Sequence, residues 1–172
     1  MTRVSWLIAL LLLAAGCHRG RHSVTGPGDS VTLRVDSTQF TVRSNGPLYE
    51  ATIGFHFANH SGRTLSMNYC GSPPPPALEK QRVDGTWVHA YSGVILTCLI
   101  LPPFRIPDGG SYDGVLKLAA GRPGTKFFPT FGPDSVPGIY RLRWELRAGP
   151  DPDNQSAPTI STVSWPFRLI TP

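Results

Sequence analysis

The run Gly138-Ile139-Tyr140-Arg141-Leu142-Arg143-Trp144-Glu145-Leu146-Arg147 decides how this chain folds. Tyr140, Leu142, Trp144 and Leu146 alternate with Arg141, Arg143, Glu145 and Arg147. Successive strand side chains point to opposite faces, so a period of two makes one dry side and one wet side. On a helix the same residues would scatter around the axis. The run therefore reads as a half-buried strand.

Working outward, the same period recurs. Val31, Leu33 and Val35 alternate with Thr32, Arg34 and Asp36, and Tyr49, Ala51, Ile53, Phe55 and Phe57 alternate with Glu50, Thr52, Gly54 and His56. Past a turn at Asn59-His60-Ser61-Gly62, Leu65, Met67 and Tyr69 continue the pattern. Asp84-Gly85, between 78–83 and 86–91, suits a type I′ hairpin, which needs positive φ at both central residues. Pro107-Asp108-Gly109-Gly110 precedes a further strand over 112–118. A last strand is expected over 160–169, with Val163, Trp165, Phe167 and Leu169 in phase. Pro166 cannot donate to a ladder, which puts that strand at an edge or gives it a bulge.

No segment beyond residue 17 shows a 3.6-residue period. Short strands between turn signals predict an all-β antiparallel sandwich with Greek-key connections over 30–172. Gly138-Ile139-Tyr140 is similar to the Gly-x-Tyr pattern that opens a late strand in many immunoglobulin-like domains. There the Tyr hydroxyl often ties down a neighbouring loop. The resemblance implies an immunoglobulin-like sandwich, with the Gly/Pro-rich stretch 120–137 lengthening one connection.

The amino terminus has a different character. Arg3 precedes an apolar run from Val4 to Leu13, broken only by Ser5. About ten residues is the length of a signal-peptide apolar segment, whereas a membrane span needs roughly 20. Leu13-Ala14-Ala15-Gly16-Cys17 resembles the lipobox of bacterial lipoproteins, although Ala14 stands where that family usually has Leu. The resemblance implies diacylglycerol or palmitate on Cys17, cleavage before it, and a membrane held through the lipid anchor. The signal helix is then 1–16 and the polar, Gly-rich stretch 17–29 a flexible tether. In that family an Asp after the lipidated Cys accompanies retention in the inner membrane, and here His18 follows Cys17. In an organism with two membranes the resemblance therefore implies an anchor in the outer one, with the domain outside the cytoplasm.

Composition narrows the functions. Gly and Pro make up about a fifth of the 172 residues, below the level of disordered low-complexity chains. The net charge is +5, with Arg far in excess of Lys and no basic cluster. That argues against nucleic acid as a partner. If Cys17 is lipidated, Cys70 and Cys98 remain as a pair in an oxidising space and are expected to form a disulfide. The other reading, two thiolate metal ligands, lacks a Cys-x-x-Cys or a nearby His pair.

No motif specifies a reaction, a cofactor or a metal. His56 and His60 are spaced for zinc only on a helix. Two constellations are candidates for binding. Trp87, His89 and Tyr91 are expected on one face of a strand, either as an exposed platform for sugar rings or as a core face. Arg141, Arg143 and Arg147 form a row for an anionic partner, or a solvated face that Glu145 partly neutralises. The sequence supports an envelope protein without enzymatic activity that binds protein or polysaccharide or is structural. The alternative is a protease-inhibitor-like domain acting through the exposed loops 73–76 or 120–137.

Overall fold

A computed structural model describes residues 31–68, 72–93, 102–133 and 135–172. Among these residues there are strands and no helix. The expected tether, the lipobox with Cys17, and Tyr69, Cys70 and Cys98 lie outside the described residues.

Two sheets face each other. In the first, β4 (Leu48–Asn59) is flanked on one side by β1 (Val31–Val35) and β3 (Arg43–Asn45), and on the other by β9 (Ser111–Gly121). In the second, the run that opened the reading is the central strand β10 (Gly138–Ala148). Along one side of it lie β11 (Thr159–Val163) and β12 (Phe167–Ile170), and along the other β5 (Leu65–Met67) and β6 (Ala77–Gln81). β7 (Trp87–Tyr91) extends β6, and β8 (Phe104–Ile106) extends β5. Pairing is antiparallel except where β2 (Gln39–Thr41) joins β12 in parallel, because the chain leaves the first sheet after β1 to edge the second. The result is an all-β sandwich of immunoglobulin-like type.

Alternation places the core. Tyr140, Leu142, Trp144 and Leu146 are all buried, as the period of two requires. They meet Leu33, Ile53, Phe55, Phe57, Leu116 and Leu118 of the first sheet. Each large apolar side chain so buried contributes about 1.5–3 kcal/mol. Trp144 lies at the centre, edge-on to Phe55 and Phe57 at 5.5 and 5.2 Å between ring centroids. Its Nε1 donates to the Pro74 carbonyl at 3.0 Å. Tyr140 makes the tie that Gly-x-Tyr implies: its hydroxyl donates to the Val136 carbonyl at 2.6 Å. Burial pushes that phenol well above its ordinary pKa.

Three local expectations are corrected. At the Asp84 hairpin the Gly85 N–H donates to the Arg82 carbonyl at 3.0 Å, and Gly85 itself has φ +84°. Val83 and Asp84 are therefore the central residues, and the glycine follows the turn instead of completing a two-residue type I′ loop. The last strand is two strands. Ser164 donates its N–H to the Leu142 carbonyl at 2.9 Å, and its Oγ accepts the Leu142 N–H at 2.9 Å. That insertion, followed by Pro166, breaks the phase, so Trp165 faces solvent while Phe167 and Leu169 are buried. β5 does not alternate at all: Leu65, Ser66 and Met67 are each buried.

Candidate binding face

The outer side of the second sheet holds the charged half of the β10 alternation. Cross-strand neighbours on one face interact directly. The register sets Glu79 of β6 opposite Arg141. The Glu79 carboxylate accepts from Arg141 Nε at 2.7 Å and from Arg143 Nη1 at 3.5 Å, and the two guanidinium groups leave it only 8 % exposed. Arg143 also pairs with Glu145 and donates to Ser161 Oγ at 3.3 Å. The Arg141 guanidinium lies 4.3 Å from the centroid of the Trp87 ring. Such stacking adds roughly 0.5–1 kcal/mol at an exposed site. The product is a continuous ladder: Trp87, Arg141, Glu79, Arg143, Glu145.

Arg147 shares this face but is held elsewhere, donating to the Ala157 carbonyl at 3.1 Å and to Thr159 Oγ1 at 2.9 Å. Arg168 faces the same way, opposite Ile139 in the ladder. Arg105 of β8 lies beyond Ser66 from Arg147 on the same face, and five arginines against two glutamates leave it positive.

Trp87, His89 and Tyr91 do not form one platform, which corrects the sequence expectation. The β6–β7 register shifts at Leu78/Glu79: His89 opposes Glu79 and Tyr91 opposes Leu78, so Ala90 is an extra residue. A bulge of this kind reverses the phase of everything beyond it. Trp87 and His89 stay with the ladder, while Tyr91 turns into the core. There its hydroxyl donates to the Lys117 carbonyl at 3.3 Å and accepts the Ala119 N–H at 3.5 Å. His89 lines an open groove of about 640 Å³ with Lys80, Arg82, Val88 and Pro133.

The other singled-out residues fall apart spatially. His56 pairs with Asp113 at 2.6 Å on the first sheet, and His60 is exposed in the following turn. Among the described residues no group of three His, Cys, Asp or Glu is placed to hold a metal. Residues 73–76 are no projecting loop, since Pro76 is buried and Pro74 is held by Trp144. Sequence reasoning treated Asn59 as a turn former only. Its buried side-chain amide donates to the carbonyls of Arg63, Ile106 and Pro107 at 2.8–3.0 Å, joining two loops.

No protein-family model and no curated protein matches this chain. Solved structures with similarity include the X-ray structure of structural-genomics target SoR45, 15% identical, covering 83% of this chain and 88% of that one at a TM-score of 0.45. The putative ApaA protein from Bordetella pertussis is 10% identical, covering 85% and 98%, with a TM-score of 0.40. A PapD-like domain of human CEP192 is 18% identical, covering 87% and 92%, with a TM-score of 0.31.

Proposed function

We propose that this chain is an envelope lipoprotein, anchored through Cys17, whose sandwich binds an acidic polysaccharide without performing chemistry on it. The observation that supports the binding role is the ladder from Trp87 to Glu145. It combines a flat ring held by a guanidinium with an excess of arginine on one rigid sheet face. A planar ring can stack on a sugar, and the guanidinium fork suits carboxylate groups. The lipobox resemblance of Leu13–Cys17 supports the anchor.

Native electrophoresis through gels containing alginate tests the binding. The wild type should be retarded, and Arg141→Ala, which removes a cation and the support of Trp87, should run nearly as in a plain gel. Equal wild-type mobility in both gels would refute the reading. Mass spectrometry of the mature amino terminus tests the anchor: an unmodified Cys17 would overturn it. The inhibitor-like alternative loses residues 73–76 to the core contact of Trp144 and keeps only the loop after β9.

A further inference from the structure

The connection from β9 to β10 carries a feature that the ladder does not use. Phe127 is 50 % exposed and Phe128 84 %. Neighbouring apolar side chains held in water are a cost that folding does not require, and such patches mark contact sites. A fixed backbone presents these two. Gly121 donates its N–H to the Pro129 carbonyl at 2.8 Å and accepts the Phe131 N–H at 2.8 Å. Thr130 Oγ1 donates to the Phe127 carbonyl at 2.8 Å. A Cβ at Gly121 would lie 2.7 Å from the Phe127 Cβ, so the loop crosses the strand at backbone contact. Phe131, fully buried against Tyr49 and Tyr140, anchors the far end.

Charge and position indicate what covers the tip. Residues 122–130 contain Arg122 and Lys126 and no carboxylate. Arg122 is fixed over the Tyr49 ring and bonded to Ser44, and Lys126 is exposed beside the phenylalanines. The tip sits at the β4 end marked by Leu48, which opposes Gly121, while Val31 opposes Asn59 at the other end. Those ends are about 37 Å apart at the rise of an antiparallel strand. The chain from Cys17 to Val31 can span about 46–50 Å when extended. It is long enough to run the length of the domain and let this pole lie on the surface that holds the anchor.

We propose that Phe127 and Phe128 insert into an anionic lipid bilayer, with Lys126 at the headgroups, as a second attachment of the domain to its membrane. Aromatic rings at the acyl boundary and a lysine reaching back to phosphate are how interfacial segments bind. The argument from tether length rests on the anchor proposed above, but the insertion does not. Every described strand lies within 31–172, so a chain from Ser23 to Pro172 retains the whole described fold and has no Cys17.

Flotation of that chain with phosphatidylcholine vesicles, with and without phosphatidylglycerol, is the test. The wild type should float with phosphatidylglycerol, and Phe127→Ser/Phe128→Ser should weaken binding at least about tenfold while circular dichroism and melting stay as in the wild type. Three results would overturn the proposal: no flotation of the wild type, equal flotation of the double variant, or loss only on Arg141→Ala. A wild-type dimer that the double variant converts to monomer, without vesicle binding, would also overturn it and assign the tip to a second copy. Because Cys17 is absent from the assay, acylation and insertion fail independently.

Discussion

Replacing Glu79 by glutamine should lower stability and raise affinity for acidic polymers. Gln keeps the shape and one acceptor but removes the charge between two guanidinium groups. Breaking a fully buried pair costs about 3–5 kcal/mol, whereas an exposed pair contributes roughly 0–1. The Glu79 side chain is 10% exposed, Arg141 23% and Arg143 44%. The 2.7 Å contact to Arg141 therefore carries most of the effect, and solvent screens the 3.5 Å contact to Arg143. The expected loss is about 1–2 kcal/mol, a fall in melting temperature of roughly 3–8 °C for a domain of this size. Binding should move the other way. Without Glu79, Arg143 keeps only Glu145 as a carboxylate partner and Arg141 keeps none among the described residues. Retardation by alginate should strengthen. Thermal unfolding and the native gel, run on the same preparation, read the two effects. A variant that simply unfolds would lose both, and one that melts like the wild type and binds no more tightly would refute the reasoning.

Tyr140→Phe keeps the ring between Phe131 and Phe167 and strands the Val136 carbonyl, so urea unfolding should show a loss of about 1–2 kcal/mol with an unchanged slope. A wild-type midpoint would show that the hydroxyl bond contributes nothing. Asn59→Ala removes the donor shared by three carbonyls and should cost about 2–4 kcal/mol, with faster exchange of the Gly109 amide, which donates to the Asn59 carbonyl. Unchanged exchange there would show that the loops stand without it.

The parts of the fold that were legible in the sequence are those buried on one face only. β10 and β4 each alternate because one side meets the opposite sheet and the other meets water, and Tyr140 was marked by its local Gly-x-Tyr context. β5 was not legible, because both of its faces are covered and no period survives. The bulge at Ala90 depends on where β6 pairs, and nothing local to β7 encodes that. The same limit hid the ladder. Glu79 and Arg141 are separated by more than 60 positions, so the row of arginines was visible while the carboxylate that organises it looked like an isolated glutamate. The exposure of Phe127 and Phe128 depends on Gly121 and Phe131 fixing the backbone, which a Gly/Pro-rich loop does not announce.

Folding alone does not explain a carboxylate buried among arginines or a pair of neighbouring phenylalanines held in water. An apolar residue at Glu79 with apolar neighbours would serve stability as well, since the cost of desolvating charges offsets much of their attraction. Both rings lie at the surface, 50 % and 84 % exposed, so polar residues at 127 and 128 would cost the core little. The two features occupy compatible positions. Phe131 bridges Tyr49 near the start of β4 and Tyr140 near the start of β10, so the phenylalanine tip and the Gly138 end of the ladder face share a pole. From there β10 runs about 34 Å to Ala148 at the rise of an antiparallel strand. With the tip in lipid, that strand carries Arg141, Arg143 and Arg147 in succession away from the surface. A long anionic polymer can then reach all three cations without approaching the bilayer, and neither proposed contact blocks the other.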